Sequence, residues 1–291
     1  MTKFLIMDGT NIACRTLMAG ENELTNSEGL PTGYIYRFFN CFFKIMKIVN
    51  PTHIVICWDI SRKTWRKEIY SEYKSNRGPK EENPNISFKN IKDILSVTGI
   101  LNYEFDGYEG DDLVGSFANI SLAEKNYIVS GDRDIFQLIN NNTVVLFPSK
   151  KEWIEVDKNY IKENYGIDVN QYIDMKALMG DAGDNIPGIE GMGEKTASKL
   201  LNQYNNIENI VNADVQELFK NQKKQENFLK WKENYSLYKK LVTIDKFVPL
   251  EIDFDDCINK VDWNNAISYF EKFEFKSFLN KIEQLPKGES I

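Results

Sequence analysis

Carboxylates placed at breaks in the apolar pattern are the residues of this chain best suited to chemistry. Asp8, Asp59, the run Glu109-Gly110-Asp111-Asp112, the triplet Asp132-Arg133-Asp134 and the turn sequence Asp181-Ala182-Gly183-Asp184-Asn185 each follow an apolar stretch or carry a turn signal. Singly, an Asp in such a place is a helix N-cap or a turn former. Jointly they make a candidate cluster, provided the fold gathers them. Glu109 and Asp112, three apart, can share a face at a helix start, and Asp132 and Asp134, two apart, can point the same way from extended chain. Carboxylates within about 4 Å repel by roughly 4 kcal/mol per pair at an effective dielectric near 20, so a gathered cluster needs protons or cations. Oxygen-only ligands select hard ions, Mg²⁺ or Mn²⁺, and Mg²⁺ favours a site shared with a phosphate. Two such ions, about 4 Å apart, can activate water and stabilise the leaving oxygen of an in-line displacement. The expected substrate is a phosphate ester.

The rest of the composition narrows the chemistry. His53 is the only histidine and lies in a strand-like run, which argues against a zinc hydrolase on imidazole ligands and against a Ser-His-Asp hydrolase. Cys14, Cys41, Cys57 and Cys257 stand singly and read as reduced thiols. A net charge of −7 and a pI near 5.1 oppose a nucleic-acid partner at first sight. Distribution alters that. Arg62, Lys63, Arg66, Lys67, Lys74, Arg77 and Lys80 stand against only Glu68 and Glu72, with Trp65, Tyr70 and Tyr73 interleaved, which suits a phosphate-binding strip as well as a solvated helix face. Residues 4–7 are too short for a signal-peptide core, and no apolar run reaches membrane-spanning length. A cytosolic protein with no membrane partner is expected.

These residues need a scaffold. A chain of 291 residues fits one large domain or a domain with a small appendage. Apolar runs predict strands at 4–7, 53–58, 101–105 and 127–129, and helical periodicity predicts helices at Gly33–Val49, 86–97 and 111–124. Alternation of this kind predicts an α/β fold with a mainly parallel central sheet flanked by helices, its strand ends converging on one edge. Asp8, Asp59 and Asp132 would meet there with the helix start at 109–112. Residues 74–85, with Gly78, Pro79 and Pro84, read as an exposed loop or arch. After about Tyr160 the pattern is mostly helical, with residues 248–254 as one late extended piece and a frayed tail from Pro286. The organisation expected is a core over residues 1–160 carrying an arch at about 62–90, and a mostly helical region over 161–291 packed on it.

In order and spacing the motifs resemble a known family, the 5′ nucleases or flap endonucleases of phages and of the amino-terminal part of bacterial DNA polymerase I. The matching pieces are Met7-Asp8-Gly9-Thr10-Asn11, Trp58-Asp59, Trp65-Arg66-Lys67-Glu68-Ile69-Tyr70 with Tyr73-Lys74-Ser75-Asn76-Arg77, Gly107-Tyr108-Glu109-Gly110-Asp111-Asp112, Ser130-Gly131-Asp132-Arg133-Asp134, and residues 180–188 leading into Gly191-Met192-Gly193-Glu194-Lys195-Thr196-Ala197. They span roughly residues 3 to 250. The resemblance implies a PIN-like core with a helical arch and a helix-hairpin-helix motif at about 180–203. It implies a structure-specific 5′ nuclease, acting as 5′-flap endonuclease and 5′-3′ exonuclease by two-metal-ion catalysis in DNA replication or repair.

Carried onto this chain, the resemblance places Asp8, Asp59, Glu109, Asp111, Asp112, Asp132 and Asp134 around the metals, with Asp181 and Asp184 completing a second site. Lys74, Arg77, Asp132 and Asp134 would be catalytic. Arg66, Tyr73, Lys74 and Arg77 would contact DNA, Tyr73 by stacking on a base. Gly191, Gly193, Lys195 and Lys199 would take phosphates at the hairpin, whose carbonyls in the family can also hold K⁺. The partners implied are DNA with 5′ flaps, nicks or free 5′ ends and RNA-DNA hybrids, bound by a monomer in a bacterial cytoplasm or, for a phage protein, the host's. Gly110 stands where alanine is more usual and Arg133 where lysine is common. With no polymerase region following, a free-standing nuclease is expected, and no function is assigned after about residue 250.

Three other readings compete. The opening resembles the Asp-x-Asp-Gly-Thr motif of haloacid-dehalogenase phosphatases, but Ile6 stands where the nucleophile belongs. A ribonuclease of the PIN type would share the acidic edge and need neither the basic strip nor the hairpin. A non-cleaving nucleic-acid-binding accessory to replication could keep the fold without the acids, all of which are present here.

Overall fold

β1 (Lys3–Asp8) is apolar from Phe4 to Met7, and all four side chains are buried because the strand is covered on both faces. Phe4 and Ile6 enter one apolar cluster, Leu5 and Met7 the other. The computed structural model describes residues 1–19, 24–61, 63–78, 88–150 and 152–283. After β1 come α1 (Gly9–Met18), α2 (Gly33–Val49), β2 (His53–Cys57), α3 (Trp65–Ile69), α4 (Lys89–Val97), β3 (Leu101–Tyr103), α5 (Gly110–Ile120), β4 (Lys125–Val129), β5 (Thr143–Pro148) and β6 (Trp153–Val156). The later part is helical: α6 (Lys158–Tyr165), α7 (Tyr172–Met179), α8 (Glu194–Tyr204), α9 (Ile207–Asn212), α10 (Val215–Leu218), α11 (Gln222–Lys232), α12 (Tyr235–Val242), α13 (Ile267–Lys272) and α14 (Lys276–Glu283).

The sheet order is β3-β2-β1-β4-β5-β6, parallel except for the β5 and β6 pair. β1 is central, with Asp8 level with Cys57 of β2 and Met7 level with Val129 of β4, so the three carboxyl ends share one edge. One face carries α1, α2, α4, α13 and α14; the other carries α5 and the helical region from α6 to α12. α2 buries Phe38, Phe39, Phe42 and Phe43, and the end of the chain covers them: Trp263 lies 4.8 Å from Phe43 and Phe270 5.7 Å from Phe39, ring centre to ring centre. Residues after 250 therefore complete the core.

Several boundaries differ from expectation. Residues 79–87, Arg62 and the tail from Pro286 lie outside the described residues, so part of the expected arch, Lys80 included, does too. Residues 248–254 join no sheet; the Val248 N–H donates to Ser116 Oγ at 3.0 Å and Phe254 stacks on His53 at 4.0 Å. The β5 and β6 hairpin closes the sheet at a place for which no strand was expected. Among the described residues no helix is long and apolar enough to cross a membrane.

Candidate active site

At the end of β1 the chain turns directly into α1, and the Asp8 carboxylate accepts the Asn11 N–H at 2.9 Å as N-cap and the Ser130 hydroxyl at 3.0 Å. Gly9 is required by the crowding beside it, since a Cβ there would lie 2.7 Å from Ile56 and Trp58. Two residues past β2, the Asp59 N–H donates to Thr10 Oγ1 at 2.9 Å, and Asp59 Oδ1 accepts the Gly110 N–H at 2.6 Å, which ties it to the start of α5. Past β4, the Gly131 N–H donates to Asn11 Oδ1 at 2.8 Å, and the Asp132 carboxylate accepts the Asp134 N–H at 2.9 Å. The structure thus brings Asp8, Asp59, Asp132, Asp134 and the 109–112 turn to one edge.

The edge is electrostatically stressed. Burial, then repulsion from Asp59, pushes Asp8 up to about 7, with Asp132 adding to the effect. Desolvation, then Asp112, raises Asp111 well above the usual carboxylate range. Burial lifts Asp134 to about 6 even though Lys176 opposes the rise. These groups favour protons or cations at neutral pH.

Three expected members of the site play other parts. Asp112 is fully buried; Arg66 Nη1 and Nη2 grip its two oxygens at 2.7 and 2.8 Å, and the Asp245 N–H and Trp65 Nε1 donate to it at 2.8 and 3.1 Å. Its lone pairs are taken, so the expectation of a metal ligand does not fit. Arg66 is 2% exposed and also donates to Glu109 and to the Leu241 and Thr243 carbonyls, so it cannot reach DNA. Tyr73, 3% exposed, likewise offers no face for a base; its hydroxyl donates to Glu109 at 2.7 Å and lies 3.0 Å from Asp184.

Lys74 and Arg77 do stand at the acids. Lys74 Nζ donates to Glu109 and lies 3.8 Å from Asp184, while Arg77 pairs with Asp184. Burial disfavours the Lys74 cation, but Glu109 and Asp184 together hold it above the usual lysine range. Glu109 answers in kind: burial would raise it, yet Lys74 and Arg66 keep it below the usual carboxylate range. Residues 72–77 are strapped to the 181–185 turn, since Lys74 N donates to the Asp184 carbonyl at 2.9 Å, Asn76 Nδ2 to the Ala182 carbonyl at 2.6 Å and Asn185 Nδ2 to the Glu72 carbonyl at 2.8 Å. Lys74 adopts a left-handed φ of 53° within that strap.

Lys176 escapes sequence reasoning. On α7 it reads as a solvated helix lysine, yet it reaches Asp134 at 2.7 Å and Asp181 at 2.9 Å, joining the strand edge to the acidic turn. That turn closes on itself through paired bonds between Asp181 and Ile186, and Gly180 packs against Gly188 so tightly that a Cβ on Gly188 would lie 1.9 Å from the Met179 carbonyl oxygen. Beyond it, Gly191 (φ 78°), Gly193, Lys195 and Lys199 are exposed, Gly193 caps α8, and Arg133 meets Glu194 at 3.9 Å.

Among the described residues no three His, Cys, Asp or Glu side chains are already grouped to hold a metal ion. Their partners explain this: Arg66, Lys74, Arg77 and Lys176 occupy several of the carboxylates. In chemistry the donors still fit a hard divalent cation, being all oxygen, with Asp8, Asp111 and Asp134 needing a positive neighbour. A second basic feature also goes unseen in the sequence. Arg15, Arg37, Lys44 and Lys47, spread over α1 and α2, line an open groove of about 920 Å³ beside the β5 and β6 hairpin.

Residues 3–166 match the family described as 5′-3′ exonuclease, N-terminal resolvase-like domain, and residues 167–265 match 5′-3′ exonuclease, C-terminal SAM fold. The chain is 37% identical over 289 residues to DNA polymerase I of Caldicellulosiruptor bescii, covering 96% of this chain and 33% of that one. It thus spans about a third of the polymerase relatives it matches. It is 32% identical over 299 residues to the 5′-3′ exonuclease of Bacillus subtilis, covering 99% of each. Among solved structures, the T5 D15 protein co-crystallised with metal ions superposes with a TM-score of 0.67 at 24% identity, covering 84% of this chain and 89% of that one. The bacteriophage T5 D15 flap endonuclease in a pseudo-enzyme-product complex with DNA and metal ions gives 0.67 at 22%, covering 97% and 100%. At these identities the structural likeness speaks to fold.

Proposed function

The chain belongs to the 5′-3′ exonuclease family, and from that premise we propose that it hydrolyses phosphodiester bonds of DNA at or near a free 5′ end, as a metal-dependent nuclease of replication or repair. The observation that carries this reading is the edge formed by β2, β1 and β4, where acids from separate stretches of chain meet and Asp8, Asp111 and Asp134 are raised. Two Mg²⁺ or Mn²⁺ ions would be held by Asp8, Asp59, Glu109, Asp111, Asp132 and Asp134, with Asp181 and Asp184 completing a second site, and would supply Lewis acidity and an activated water.

The chain's own residues do the rest. Lys74 and Arg77, now on Glu109 and Asp184, can exchange a carboxylate for phosphate oxygens and offset the negative charge that grows as the bond breaks. Arg66 fixes the Glu109 and Asp112 side chains, and Lys176 orients Asp134 and Asp181. The exposed amides at Gly191 and Gly193, with Lys195 and Lys199, suit duplex phosphates, and the loop carbonyls there suit K⁺. These cations and amides suit phosphates, which carry no base sequence, and that supports substrates defined by shape: 5′ flaps, nicks, free 5′ ends and RNA-DNA hybrids.

The test is a duplex with a 5′ flap, labelled at each end in turn and incubated with Mg²⁺, with Mn²⁺ and with chelator. Metal-dependent release of short 5′-labelled products is expected. Retarded duplex with no metal-dependent product would instead make the protein a binding accessory.

A further inference from the structure

The edge has two ends. The hairpin joins it on the β4 side, through Arg133 to Glu194 and through Lys176 to Asp134. Asp59 lies at the other end, because β2 is on the opposite side of β1 from β4. Next to Asp59 a cleft of about 340 Å³ opens between the end of β2 and the first turn of α4, walled by Thr10, Trp58, Asp59, Phe88, Lys89 and Lys92. We propose that this cleft receives the nucleotide on the 5′ side of the bond that is cut, the unit released as product. The proposal rests on the 5′ nuclease reading above.

Position, size and lining carry it. The cleft lies at the end of the edge away from the hairpin, so with the duplex held at the hairpin, the unit cut from its 5′ end would leave on the Asp59 side. The cleft's volume is at the small end of the range for ligand sites, about 300–1,000 Å³, which suits one nucleotide better than two. Its walls match such a ligand in both halves. Half-buried Phe88 is the accessible apolar wall for a base, and the Trp58 ring, 6.3 Å away and itself buried, backs it from the core. Lys92 lies 5.1 Å over the Trp58 ring and 2.5 Å from Glu104, and Lys89 lies 2.6 Å from Asp93. Ion pairs that reach solvent are weak, so both ammonium groups can turn to a phosphate.

Thymidine 5′-monophosphate is the probe, added with Mg²⁺ to the full chain cutting a flapped duplex. It should inhibit the parent protein competitively. Phe88→Ala should raise the inhibition constant about tenfold, the size of one base-aromatic contact, and lower the share of mononucleotide among the first products. Lys92→Gln, outside the apolar core, should act in the same direction through the phosphate. The same inhibition constant in parent and both variants, or no inhibition of an active parent, overturns the cleft and leaves the nuclease reading standing. A parent that releases no product removes both.

Discussion

The Asp8 carboxylate caps α1, accepts the Ser130 hydroxyl and is repelled by Asp59, and burial with that repulsion lifts it to about 7. A carboxyl raised on folding binds its proton more tightly in the native state. Its contribution to stability is complete below the unfolded value and is lost as pH rises through about 7. Asp8→Asn keeps a capping oxygen and removes the charge. At pH 8 in chelator it should raise Tm by about 2–4 °C by calorimetry, while flap cleavage disappears; a lower Tm would contradict the stress assigned to this edge. Lys74→Ala should slow single-turnover cleavage about 100-fold while affinity for the flapped duplex, measured with Ca²⁺, changes far less. Equal losses in rate and affinity would make Lys74 a binding residue only. Arg66 answers to a different measurement. Arg66→Ala leaves Asp112 charged and buried, so denaturant unfolding should show a loss of about 3–5 kcal/mol, whereas a surface DNA contact would leave stability unchanged.

At the scale of elements, α2 serves two faces. Its phenylalanines fill the core, and Arg37, Lys44 and Lys47 line the basic groove. Lys44→Glu with Lys47→Glu should weaken duplex binding regardless of sequence and reduce the dependence of log affinity on log salt by about two, because each lysine accounts for about one phosphate. An unchanged salt slope would show that the groove takes no phosphates and leave the hairpin as the duplex contact. Periodicity alone marks α2 at its observed limits, and the apolar runs mark β1, β2 and β4 because buried parallel strands have no polar face to confuse the pattern. What lies outside such patterns is what local sequence does not specify. Lys176 looks like any helix lysine, Arg66 and Tyr73 look like surface groups of a basic strip, and residues 248–254 look extended yet bind α5 through Ser116. Each is decided by a partner more than 30 residues away.

At the scale of the molecule, the helices after residue 262 carry none of the acids and pack Trp263, Phe270 and Phe278 onto α2. A chain ending at Asp262 should therefore expose an aromatic face and unfold or aggregate at temperatures where the full chain stays folded, as light scattering during a thermal ramp would show. A soluble, fully active shorter chain would mean that this packing is dispensable. The acids are legible in the sequence because a parallel sheet must bring its carboxyl ends together. How far apart they sit follows from the hydrogen-bond lattice. Neighbouring strands stand about 4.8 Å apart, a spacing set by backbone N–H and C=O groups and indifferent to side chains. Asp8 ends a strand on this ruler, while Asp59 and Asp132 stand just past theirs, tied back by Thr10, Ser130 and Asn11, so the strand spacing limits how far the acids can part. The spacing of negative charge at this rim is then set first by the main chain. Substitutions among the acids can change the charge, but the gauge on which those charges are mounted stays as it is.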